Sequence, residues 1–94
     1  MRELSSVTML LRIGLVGGSV KEHCVELTAP ETRLLDVVHR IFDSLRIMLG
    51  RDRVLTMPGL PTHYASDKVV WVELDFKDRE DIEHRLSDRI IKKL

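Results

Sequence analysis

Asparagine and glutamine are missing from the 94-residue chain. Both are thermolabile, and their absence beside a charged fraction of 32% is the composition of a heat-adapted protein. Net charge is missing as well, because fifteen basic and fifteen acidic residues cancel. That balance argues against wholesale attraction to nucleic acid or an anionic membrane, though it permits a local basic patch. Cysteine is reduced to Cys24, which excludes an intrachain disulfide framework and fits a reducing, cytoplasmic compartment. No run of about 18 apolar residues occurs, so no helix is expected to span a membrane. The opening Met1-Arg2-Glu3-Leu4-Ser5-Ser6 carries an acid and no apolar core, unlike a signal peptide. Internal repeats and low-complexity tracts are lacking too, and the expectation is one domain over residues 1–94.

What is present is patterned hydrophobicity, with an apolar fraction of 44%. From Val7 to Val16, Val7, Met9, Leu11, Ile13 and Leu15 alternate with Thr8, Leu10, Arg12 and Gly14. Period-two alternation of this length predicts a strand with one well-buried face. Gly17-Gly18 supplies a tight hairpin turn. Val20 to Leu27 returns as a second, more exposed strand suited to a sheet edge.

Thr28-Ala29-Pro30-Glu31 reads as a capping box with proline in the first helical turn. A helix is expected from there to about Leu49. Leu34, Val38, Ile41, Leu45 and Met48 form its apolar stripe, Leu35, Phe42 and Leu49 widen it, and Gly50 ends it in the left-handed conformation. Asp36 and Arg40 stand at a favourable i,i+4 spacing on its outer side. Residues 51–68 are irregular. Val54 to Met57 suits a short third strand, Pro58-Gly59 and Pro61 are breakers, and Thr62 to Asp67 reads as an exposed loop.

Val69 to Phe76 predicts another strong strand, with Val70, Val72, Leu74 and Phe76 facing one way and Val69, Trp71, Glu73 and Asp75 the other. Asp78 then caps a last helix. Its stripe is Ile82, Leu86, Ile90, Ile91 and Leu94, Asp81 and Arg85 pair along it, and Lys92 and Lys93 close it. The expected fold is α+β, a two-layer sandwich in the order β-β-α-(β)-β-α. Two helices pack on one face of a mostly antiparallel sheet of three or four strands.

No catalytic residues, metal ligands or cofactor site emerge. His23, His39, His63 and His84 lack metal-ligand spacing, and His23 and Cys24, as strand neighbours, point to opposite faces. Glu22 and Glu26 share the face of Cys24 and disfavour its thiolate, so the thiol reads as structural. Gly14-Leu15-Val16-Gly17-Gly18-Ser19 precedes an extended segment rather than a helix, so it is a turn and not a phosphate loop. Arg51, Arg53, His63, Tyr64 and Lys68 place basic residues around one aromatic, a pattern able to contact single-stranded RNA. If the helices cover the Val70 side of its strand, Trp71 and Val69, joined by Leu10, point away from the core. They then form an apolar patch on the open sheet face, a candidate partner-binding surface unless the 58–66 loop folds over it.

These features support a non-catalytic assembly or adaptor subunit, self-associating as a homodimer or binding a protein partner. The first alternative is an RNA- or ribonucleoprotein-associated module using the 51–68 loop. The second is a small ligand-binding or enzymatic domain centred on His63 and Tyr64.

Overall fold

A computed structural model describes residues 3–51, 54–57, 59–86 and 89–92. Asp52, Arg53, Pro58, Ser87, Asp88, Lys93 and Leu94, several of which entered the expectations above, lie outside the described residues. The chain forms a small α+β fold around a four-stranded antiparallel sheet.

Strand β1 (Leu4–Leu15) and strand β2 (Val20–Pro30) make a long hairpin. Gly17 and Gly18 turn it at φ 98° and 96°, values that side chains with a Cβ rarely adopt. Leu15 N–H donates to the Ser19 carbonyl at 2.8 Å, and Gly18 N–H to that of Leu15 at 3.0 Å. Helix α1 (Glu31–Gly50) follows with no loop between. Pro30, at φ −55°, ends the strand and opens the helix in one residue.

The capping-box expectation fails here. Thr28 lies opposite Ser6 in the β1–β2 ladder, and no side chain caps α1. Gly50 does not terminate the helix through a positive φ. It is the last helical residue, and Arg51 N–H still donates to the Ile47 carbonyl at 3.1 Å. The apolar stripe holds, with Leu34, Val38, Phe42, Leu45 and Leu49 buried.

Residues 54–57 and 59–68 are more structured than the polarity of this region suggests. β3 (Val54–Leu55) pairs with β4 (Tyr64–Ala65), and a 3-10 turn, Ser66–Lys68, leads on. Leu55 is fully buried, and Met57, Leu60 and Tyr64 pack against the core.

Strand β5 (Val69–Asp75) pairs antiparallel with β1. A register shift opposite Gly14 and Leu15 inserts one extra residue at Val70. The bulge reverses parity at the start of the strand. Val69 is therefore buried in the core at 2% exposure, and Val70 is turned out at 45%. This corrects both expectations, because Val69 cannot belong to an outward-facing patch.

The expected final helix is largely absent. Helix α2 (Glu80–His84) has five residues, and β6 (Ile90–Lys92) is a strand paired with β5. Ile91, opposite Val72, is buried, while Ile90 and Lys92 point outward. Asp78 does not cap α2, whose N-cap is Arg79. Its carboxylate instead accepts from Thr8 N–H at 2.9 Å, taking over where β5 has left the edge of β1.

The sheet order is β2-β1-β5-β6, so β2 is an edge strand. One face carries Val7, Met9, Leu11 and Ile13 with Val25, Val72, Leu74 and Ile91, and this is the core that α1 joins. Burying a dozen side chains at about 1.5–3 kcal/mol each supplies the main driving force.

Candidate interaction surface

The second face of the sheet is built by the alternate residues of the same strands. Cross-strand register lays them out in rows: Val20, Gly14, Trp71 and Lys92; then Glu22, Arg12, Glu73 and Ile90; then Cys24, Leu10 and Asp75. Val20 and Ile90 are 47% and 40% exposed, and Leu10, Arg12, Trp71 and Glu73 are half-buried.

Gly14 makes the position of Trp71 possible. A Cβ at residue 14 would stand 2.2 Å from Trp71 Cε2 and 2.3 Å from Nε1. The indole therefore lies flat across the bare glycine backbone, the aromatic cover that a strand glycine accepts from a cross-strand neighbour. Tyr64 and Gly59 of the loop expected to fold over Trp71 lie instead on the opposite side of the sheet: Tyr64 Oη meets His23 Nε2 at 2.5 Å, and Gly59 approaches Val25.

An ion network occupies the centre of the face. Arg12 donates to Glu73 at 2.7 Å and to Asp75, and its Nε lies 3.6 Å from Glu22. Arg89 bridges Asp75 to Glu83 of α2. Asp75 is only 8% exposed, so its charge is held between two guanidinium groups rather than by water. The hydrogen bonds to Glu73 and Asp75 raise the Arg12 pKa above its already high ordinary value, and the cation is permanent. Cys24 is exposed beside Glu22 and Glu26, and His23 points to the other side.

The basic loop is less coherent. Arg51, His63 and Lys68 are exposed, and Arg53 lies outside the described residues. Tyr64 is half-buried against the core and engaged by His23, with ring centroids 5.7 Å apart. It is not a free platform on which a base could stack. The same contact limits the His63–Tyr64 reading, since Tyr64 is held on β2 while His63 stands in solvent.

A groove of about 480 Å³ opens between α1 and the 56–57 segment, lined by Leu27, Arg40, Ile41, Met48 and Met57 among others. Neither His63 nor Tyr64 lines it. Among the described residues no group of three or more His, Cys, Asp or Glu is placed to hold a metal ion, and no helix is long and apolar enough to cross a membrane.

A third charged cluster ties the far end together. Arg79 donates to Glu31 at the start of α1 at 2.5 Å and to Asp81 at 2.7 Å. These bonds lower the Asp81 carboxyl to about 2 and also lower Glu31, with help from Ser5. The expected Asp36–Arg40 pair does not form among the described residues, nor does Asp81–Arg85, since Asp81 turns back to Arg79.

Sequence periodicity located Trp71 and Leu10 on the open face. It missed Val20, Arg12 and Ile90. Val20 and Arg12 were legible in strand alternation, whereas Ile90 was hidden by its helix-like spacing. No protein-family model matches the chain, and neither a characterised protein nor a solved structure matches it.

Proposed function

We propose that this domain is a non-catalytic assembly subunit that self-associates through the open face of its sheet. The observation that carries the reading is the Trp71 indole laid over Gly14 on the sheet face opposite the one where Tyr64 meets His23. Trp71, Leu10, Val20 and Ile90 supply apolar area around Arg12, and tryptophan and arginine are the residues most enriched at energetic centres of interfaces. The surrounding carboxylates orient Arg12 and give the surface a fixed electrostatic pattern, which favours one mutual arrangement of partners over others.

The RNA-associated alternative retains the exposed Arg51, His63 and Lys68 but not a stacking ring, so it ranks second. Light scattering after size exclusion separates the two. The wild type is expected to run as a dimer, and Trp71→Glu and Val20→Lys as folded monomers. A wild-type monomer that is retained on single-stranded RNA at low salt, with retention lost when Arg51 and Lys68 are neutralised, would reverse the ranking.

A further inference from the structure

The edge of β2 is a second surface, made of backbone groups at the border of the open face, onto which Glu22, Cys24 and Glu26 project. Thr8 N–H is directed to Asp78, away from β2, so Thr8 and Glu26 form a non-hydrogen-bonded pair of the antiparallel ladder. In such a pair both backbones present N–H and C=O outward. Alternation along the ladder then places the backbone groups of Val20, Glu22, Cys24, Glu26 and Thr28 on the free edge. No backbone hydrogen bond engages those groups among the described residues. The edge is also regular, since the β1–β2 register runs from Gly14–Val20 to Leu4–Pro30 without a shift. Proline, lysine and bulges, three of the usual guards of an edge strand, do not block the middle of β2, where the only charges on the open-face side are Glu22 and Glu26. Pro30 stands at the end, Lys21 projects toward the opposite sheet face, and no bulge interrupts the strand.

The side chains beside this edge are acidic. Glu22 and Glu26 project to the same face, four residues apart, with the small Cys24 between them. Both are exposed, and Glu26 has no ion-pair partner among the described residues. A second copy is disfavoured in the central register. The antiparallel pairing of two β2 edges that is centred on Cys24 sets Glu22 against Glu26 twice, and like charges directly opposite are destabilising.

We propose that the β2 edge accepts an extended basic segment of a partner polypeptide as a fifth strand, with basic residues four apart opposite Glu22 and Glu26. Main-chain bonds to Glu22, Cys24 and Glu26 supply affinity, and the two carboxylates select for cationic side chains.

The probe is acetyl-Thr-Lys-Val-Thr-Val-Lys-Thr-amide, with the peptide carrying Glu in place of both Lys as its counterpart. Amide hydrogen exchange is followed residue by residue. The Lys peptide is expected to slow exchange at least tenfold at Glu22, Cys24 and Glu26, while His23 and Val25, already in the ladder, change little. It should bind about tenfold more tightly than the Glu peptide, a margin set by two cross-strand charge pairs, and that margin should shrink with salt. Cys24→Pro removes one outward N–H at an edge position that tolerates proline, and should abolish binding while the circular dichroism spectrum is kept. Glu26→Lys, which does not touch the backbone, leaves one acid and one base beside the edge, and should weaken binding of the Lys peptide and strengthen that of the Glu peptide until the two bind about equally. Equal affinity for both peptides, protection mapped away from these three amides, or concentration-dependent protection of the edge without peptide would each overturn the proposal.

Discussion

Gly14→Ala is the smallest change that interrogates the open face. The added methyl group would begin 2.2 Å from Trp71 Cε2, 2.3 Å from Nε1 and 2.7 Å from Cδ2. Carbon atoms rest at about 3.5–4.0 Å, so the indole must move by more than about 1 Å or leave its rotamer. Overpacking of this kind costs about 1–3 kcal/mol. In a Trp71→Ala background the obstacle is gone, and the same substitution should stabilise by about 0.5–1 kcal/mol, since glycine is a poor strand residue. The double-mutant cycle therefore predicts a coupling of about 1.5–4 kcal/mol, well above the ~0.5 kcal/mol scatter of independent sites. Urea denaturation followed by far-ultraviolet circular dichroism measures all four corners of the cycle. Trp71 is the only tryptophan, so the emission of Gly14→Ala should shift to the red as the ring lifts into water. A coupling below about 0.5 kcal/mol with unshifted emission would refute the stacked geometry.

Three further perturbations test the frame that holds this face. Leu55→Ala should cost about 2–5 kcal/mol in denaturant midpoint analysis, because Leu55 is fully buried; a loss below about 1 kcal/mol would return the 51–68 region to a solvated loop. Asp78→Ala should cost about 1 kcal/mol and accelerate amide exchange at Thr8, with unchanged exchange there contradicting the Thr8–Asp78 bond. The Arg79 cluster predicts an acid limb. Asp81 titrates near 2 in the folded chain, below its ordinary 3.8, so its contribution is complete above about pH 4 and is lost as the pH falls toward 2. Arg79→Gln should flatten that part of the stability profile, and an identical acid limb in both proteins would exclude the cluster as its source.

Where local chemistry decided the conformation, the chain could be read directly. The alternation of Val7 to Leu15, the Gly17-Gly18 turn and the stripe from Leu34 to Leu49 all specify their elements through short-range periodicity. Where long-range pairing decided, local pattern misled. Ile82, Leu86 and Ile90 repeat every four residues like a helix, yet Ile90-Ile91-Lys92 alternate out, in, out once Ile91 finds Val72 across the ladder. Thr28 offers a helix cap, but an extra ladder position opposite Ser6 outcompetes it. Val69 and Val70 exchange faces because a one-residue bulge reverses parity, a feature that depends on the partner strand. On the candidate surface, Trp71 was placed by alternation. Its glycine bed and the Arg12 network required knowing which strands are neighbours.

Self-association through the Trp71 face is the central claim, and acrylamide quenching of the single tryptophan across a protein dilution series addresses it directly. Dimerisation through this face predicts a quenching constant that falls severalfold as protein concentration rises through the dissociation constant, in step with the sedimentation coefficient. A dimer that forms while Trp71 stays equally accessible, or a monomer at every concentration, would contradict it.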